Sequence, residues 1–270
     1  MIKDYKLTIE GLKNFYRIGG EKRKPPAIFL HGYGARLDGI GPYRGTAGII
    51  EELANHFYVL APELPGLIRS DAPKTVWNYE EYAILVRKLV RSLQWKRSMI
   101  FGHSFGGGVA TAYAKLYPED TKALIIIDSV VSNLPMNSYR KLLYAWARLR
   151  KKLLPSPFIP APVKKVSVTL WFGTPWKFID DKSIKEKIIM SDIDLTRNLV
   201  VDYKKLEMPF IMIWGNKDTW VTPLYRAKEI HQEVPSSKLI LVEGGHAILS
   251  IKPKYVIHEI IKNLPHELYR

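Results

Sequence analysis

The stretch Ser98–Tyr117 constrains the fold more than any other part of the chain. A short apolar run, Ser98–Phe101 (SMIF), passes through Gly102-His103-Ser104-Phe105-Gly106-Gly107-Gly108 straight into Val109–Tyr117, a helical run stopped by Pro118. A strand that turns into a helix with no loop between them leaves no room for side chains across the bend, and the glycines supply that room. The bend also projects Ser104 outward, and the helix N-terminus brings backbone N–H groups near its hydroxyl.

The same strand-then-helix rhythm recurs along the chain. Ala27–Leu30, Phe57–Ala61, Ala123–Ile127, Phe210–Trp214 and Lys238–Val242 join Ser98–Phe101 as short, continuously apolar runs, which read as strands covered on both faces of a mostly parallel sheet. Two further stretches near Tyr5–Ile9 and Asn14–Ile18 bracket Glu10–Lys13 and read as an edge hairpin, making eight strands. Between them Tyr79–Leu93 places Ala83, Val86, Leu89, Val90 and Leu93 at helical spacing, with Arg87, Lys88 and Arg91 outside. The expected fold class is α/β: an eight-stranded, mostly parallel sheet flanked by helices.

The rhythm breaks after Asp128. About a quarter of the chain follows before the next strand, and between Asn133 and Val200 there are 13 Lys or Arg against 5 Asp or Glu, and 6 of the 18 prolines. We read residues 129–200 as a helical cap inserted into a core domain made of residues 1–128 and 201–270. Within it, Ser138–Leu154 sets Leu142, Trp146, Leu149 and Leu153 on one helical stripe, with Arg140, Lys141, Arg148, Arg150, Lys151 and Lys152 largely on the others. Trp171, Phe172, Trp176 and Phe178 follow a proline-rich stretch and serve either as the cap's own small core or as the lining of an apolar cleft.

Composition narrows the chemistry. With no cysteine, the chain has neither a thiol nucleophile nor a Cys-ligated metal, and a reducing compartment suits it. Met1–Arg17 carries charges every few residues, unlike a signal peptide, and no run is long enough to span a bilayer, so a soluble cytoplasmic protein is expected. The net charge of +15 favours acidic partners, but no nucleic-acid-binding motif accompanies it. The cationic cap is either a solvated face or a surface that steers anionic substrates or anionic membrane.

Ser104 needs a base and a carboxylate, since a serine hydroxyl is a weak nucleophile at neutral pH. Asp218 follows the run Phe210–Trp214, and His246 follows Lys238–Val242 in Glu243-Gly244-Gly245-His246. The C-terminal ends of parallel strands share one edge, so Ser104, Asp218 and His246 converge there as a nucleophile, acid and base triad. His31-Gly32-Tyr33-Gly34 reaches the same edge, and we assign the oxyanion hole to the N–H groups of Tyr33 and Phe105, with Gly34 as the alternative to Tyr33. His103, His56, His231, His258 and His266 are left to packing or surface roles. The triad needs no cofactor or metal.

Taken in order, HGYG, APELPG…SDAP, GHSFGG, the Asp218 loop WGNKDTWVTP and GGH resemble the α/β-hydrolase superfamily over nearly the whole chain. Within it the sequence is similar to small single-domain serine esterases and lipases. The resemblance implies an antiparallel second strand, a cap after the sixth strand, and Asp128 as the rival acid, since some relatives take their carboxylate from that strand. Glu63 and Ile68 depart from the family's D-x-P-G-x-G-x-S loop. Serine rather than a carboxylate at the elbow argues against dehalogenase and epoxide-hydrolase chemistry. The expected function is hydrolysis of small-molecule carboxylic esters through an acyl-enzyme. The alternatives are a lactonase, amidase, C–C bond hydrolase or perhydrolase on the same triad, or a non-catalytic ligand-binding protein of the same fold. Oligomeric state is not legible.

Overall fold

The computed structural model describes residues 2–32, 45–132, 138–154, 156–172, 199–219 and 222–268. Its eight strands are β1 (Lys3–Ile9), β2 (Leu12–Gly19), β3 (Pro26–Leu30), β4 (Tyr58–Pro62), β5 (Ser98–His103), β6 (Thr121–Ile127), β7 (Phe210–Gly215) and β8 (Lys238–Val242). They form one sheet in the order β1-β2-β4-β3-β5-β6-β7-β8. β2 pairs antiparallel with both β1 and β4, and every later neighbour pair is parallel.

The hairpin turns at Glu10 (φ 51) and Gly11 (φ 78), two left-handed residues in succession, which matches the right-handed twist of the strands they join. β3, β5 and β6 are buried at almost every position. Successive strand residues face opposite ways, so helices must cover both faces. They do so in two groups: α1 (Gly45–Ala54) packs with α7 (Ile248–Ile251) and α8 (Pro253–Asn263), and α2 (Tyr79–Ser92) packs with α3 (Phe105–Leu116). α2 begins in a capping box, Asn78 accepting from the Glu81 N–H while the Glu81 carboxylate accepts from the Asn78 N–H. α6 (Leu224–Glu233) follows β7.

Lys238–Val242 departs from the expectation of a doubly covered strand. As β8 it is the edge of the sheet, and Leu241 is 46% exposed. An apolar run reports strand propensity but not rank within the sheet, and an edge strand has a neighbour on one side only.

α4 (Ser138–Leu153) and α5 (Ala161–Phe172) lie between β6 and β7 in sequence. The chain leaves the sheet and returns to it at one point, where the buried Ser132 N–H donates to the Tyr203 hydroxyl at 3.1 Å and Arg226 Nη2 donates to the Ser132 carbonyl at 3.1 Å. Trp176 and Phe178 lie outside the described residues. No helix among the described residues is long and apolar enough to cross a membrane.

Candidate functional site

Ser104 joins β5 to α3 with φ 53 and ψ −118, a left-handed backbone that an L side chain adopts at a cost of about 1–3 kcal/mol. The surroundings hold it there. Its N–H donates to the Ile127 carbonyl at 3.1 Å, and its own carbonyl accepts from Gly107 and Val130, each at 3.0 Å. The glycines are required by approach: a Cβ on Gly102 would lie 2.4 Å from the Gly106 carbonyl oxygen, and one on Gly106 only 2.2 Å from that of Leu30. α3 is thereby pressed against β3 and β5, with Phe105 as its first residue.

Ser104, Asp218 and His246 come together at the C-terminal edge of the sheet. Ser104 Oγ lies 2.9 Å from His246 Nε2, and His246 Nδ1 lies 2.7 Å from Asp218 Oδ2. Both the serine and the aspartate are buried. The Asp218 loop is fixed by the N–H of Asp218 donating to Gly215 and that of Leu224 donating to Asp218. Burial alone would raise the Asp218 carboxyl, but hydrogen bonds from His246 and Thr222 outweigh it and hold the group below its usual range.

Thr222 is a member of this cluster that the sequence reading missed. Its hydroxyl donates to Asp218 Oδ2 at 2.6 Å and sits 3.3 Å from His246 Nδ1. Its carbonyl accepts from Trp214 Nε1 at 2.6 Å, which ties it back to β7. A threonine four residues after the aspartate was visible in WGNKDTWVTP, but nothing in the spacing says that its hydroxyl points back.

His103, assigned to packing, lies with its ring centroid 5.5 Å from that of His246. Burial, with the neighbouring His246 second, lowers its pKa to about 3 and keeps it neutral. His31 is fully buried and lowered by burial to about 4; its Nε2 accepts from the Leu64 N–H at 3.0 Å, so Nδ1 carries the proton and donates to the Gly32 carbonyl at 2.9 Å.

Asp128, the rival acid, is placed differently. Its Oδ1 accepts from the Gly215 N–H at 2.7 Å, and its Oδ2 is buried with no hydrogen-bond partner among the described residues. Burial, with the Asp218 charge adding to it, raises the carboxyl well above its usual range, which favours its protonated form. Asp128, Asp218 and His246 each offer a ligand-type atom within 4.8 Å of the others. Asp218 and His246 are already joined to each other by a hydrogen bond.

Of the oxyanion candidates, Phe105 stands at the head of α3, whereas Tyr33 and Gly34 lie outside the described residues. The adjacent Gly32 packs on the elbow: a Cβ there would sit 3.0 Å from Ser104 Cβ and 3.0 Å from His103 Nδ1. Nearby, the buried Glu63 accepts from the Arg69 guanidinium and from its N–H, Arg69 also reaching Asp4. Ile68, standing where the related loops have glycine, keeps the glycine-like φ of 45°.

Comparison with known proteins gives the same picture. A family model described as alpha/beta hydrolase fold matches residues 25–170. An uncharacterized protein of Mycobacterium tuberculosis (strain ATCC 25618 / H37Rv) is 32% identical over 270 aligned residues, which cover 88% of this chain and 74% of the relative. A poly(3-hydroxyalkanoate) depolymerase of Ectopseudomonas oleovorans is 23% identical, over 93% of this chain and 88% of the relative. Among solved structures, a thermophilic esterase from Thermogutta terrifontis superposes with a TM-score of 0.73 at 19% identity, covering 99% of this chain and 100% of that one. With the strand order, the single antiparallel inner strand and the serine elbow already in place, the matched residues from β3 to α5 settle the classification: the chain belongs to the alpha/beta hydrolase fold family, a family of hydrolases.

Proposed function

We propose that this hydrolase cleaves carboxylic esters of small molecules through an acyl-enzyme on Ser104. One observation carries the reading: the unbroken line of hydrogen-bonding atoms from Ser104 Oγ through His246 to Asp218, at 2.9 and 2.7 Å. The Ser104 oxygen attacks the carbonyl carbon while His246 Nε2 takes its proton, and Asp218, held ionised, stabilises the imidazolium. The N–H groups of Tyr33 and Phe105 receive the charge that develops on the carbonyl oxygen. Collapse of the tetrahedral intermediate expels the alcohol, which takes the proton back from His246. Water, deprotonated by the same histidine, then releases the acid and regenerates Ser104.

Residues 129–200 act as a cap over this site, rooted where Ser132 meets Tyr203. The buried, hydrogen-bonded Asp128 ties the ends of β6 and β7 together and leaves the acid's role to Asp218. The test is turnover of p-nitrophenyl esters of increasing acyl length by wild type, Ser104→Ala and Asp218→Asn. Loss in both variants is expected, and the chain-length optimum sizes the acyl pocket. A folded wild type that is silent on every ester would overturn the assignment and turn the search to lactones and amides. Turnover that survives in Ser104→Ala would remove the nucleophile from the mechanism.

A further inference from the structure

α4 buries a cation against the protein while an apolar stripe of the same helix stays exposed. Its inward side is marked by Arg150, 5% exposed, whose Nε donates to Ser167 Oγ of α5 at 3.0 Å, and by Leu154 just beyond the helix, 6% exposed. The apolar stripe lies elsewhere on the helix. Leu142, Trp146, Leu149 and Leu153 are 67%, 52%, 45% and 45% exposed, and at about 100° per residue they fall within an arc of about 60°. Lys141, Arg148 and Lys152, all exposed, form a second row about 100° round from that stripe, on the side away from Arg150. The helix contains no acidic residue.

Among the described side chains of α4, the exposed ones therefore form an apolar row with a tryptophan in it, bordered by a cationic row. A second copy of the chain is a poor match for this surface: pairing the stripes would bring two cationic rows together on molecules that each carry +15. Nucleic acid would satisfy the cations but leave the apolar row without a partner. An anionic bilayer satisfies both rows, because a helix lying in the interface sinks its apolar side to the level of the acyl chains while lysine and arginine reach the headgroup phosphates and indole rings favour that depth.

We propose that α4 docks this protein on the surface of an anionic membrane, with Leu142, Trp146, Leu149 and Leu153 at the headgroup–acyl boundary and Lys141, Arg148 and Lys152 on lipid phosphates. This docking does not depend on the ester-hydrolase reading, so it is measured as binding, on wild type and on Ser104→Ala, which leaves the lipid intact.

The probe is co-sedimentation with phosphatidylcholine vesicles with and without phosphatidylglycerol, at low and high salt. Binding is expected only with the anionic lipid. It should weaken with salt and fall about a hundredfold when Lys141, Arg148 and Lys152 are all changed to Glu, from the known attraction of each cation to an anionic surface. Leu142→Ser with Leu149→Ser should abolish it, and circular dichroism on both variants checks that the fold persists. Brominated lipid should quench wild-type fluorescence more than that of Trp146→Phe, a change mild enough to leave folding untouched.

Failure to bind anionic vesicles, equal binding to neutral ones, or binding and quenching unmoved by these substitutions would overturn the proposal. So would a dimer in solution that dissociates in the Leu142→Ser, Leu149→Ser variant while vesicle binding is absent, since the stripe would then be a self-association face.

Discussion

Thr222 and Asp128 flank the same aspartate and make opposite demands on a substitution. Thr222→Val keeps the volume but removes the 2.6 Å hydrogen bond to Asp218. A hydrogen bond to a charged, buried group is worth about 1.5–3 kcal/mol, so ester turnover should fall roughly ten- to a hundredfold with the protein still folded. Steady-state kinetics on the best p-nitrophenyl ester would check it, and unchanged turnover would mean that Asp218 is held without the hydroxyl. Burial favours the protonated form of Asp128, and Asp128→Asn keeps the acceptor for Gly215, so activity should stay near wild type. Asp128→Ala strands the buried Gly215 N–H and should cost about 1–3 kcal/mol in urea unfolding. If Asp128→Asn instead lost activity as Asp218→Asn does, the two carboxylates would have to exchange roles. The sequence nominates both aspartates, Asp218 from its place after a strand and Asp128 from the family resemblance. What separates them, a partner on Nδ1 of His246 against a partner on a backbone amide, is a matter of side-chain direction, which spacing does not encode.

The elements were more legible than the atoms. The apolar runs marked six of the eight strands, because a continuously apolar run is a signal that no surface helix imitates, while β1 and β2, exposed along much of their length, were legible only through the turn between them. That signal failed only in rank: β8 is as apolar as β5 yet lies at the edge. The stripe on α4 was readable from its spacing, but not which way it faces, since helical periodicity gives a face and not what covers it. The contact between the end of β6 and the approach to β7 was hidden for a different reason. Ser132 and Tyr203 are distant in sequence, and only the return of the chain to β7 brings the hydroxyl to the buried N–H. Tyr203→Phe should leave that N–H unpaired and lower stability by about 1–3 kcal/mol, read as a lower urea midpoint with an unchanged slope. A shallower slope would instead mean that the substitution lets the segment between β6 and β7 unfold separately from the sheet.

At the scale of the whole molecule, the titration of a few buried groups sets how stability responds to acid. His31 and His103 have folded pKa values lowered to about 4 and about 3, against about 6.5 when unfolded. A lowered histidine is neutral in the fold and takes up a proton on unfolding, so its contribution is complete above about pH 6.5 and is lost as pH falls toward the folded value. His56 is lowered as well, by burial first, and acts in the same sense. Asp128 works against them: its raised pKa means that the folded state holds a proton that the unfolded chain releases above about pH 3.9. Asp218, lowered, matters only below that point, where its contribution is lost as pH falls through its folded value. Between about pH 6 and 4.5 the two buried histidines outnumber the one carboxyl. Unfolding therefore takes up about one to two net protons, and stability should drop by about 1.4 to 2.7 kcal/mol per pH unit as the solution is acidified. Urea unfolding across this window measures the slope. Asp128→Asn removes the opposing group and should steepen it, whereas His31→Gln, which keeps an acceptor for Leu64 but cannot titrate, should flatten it. A stability that stays level or rises on acidification would mean that these histidines are charged inside the fold, and the neutral ring of His103 beside His246 would then have to be abandoned.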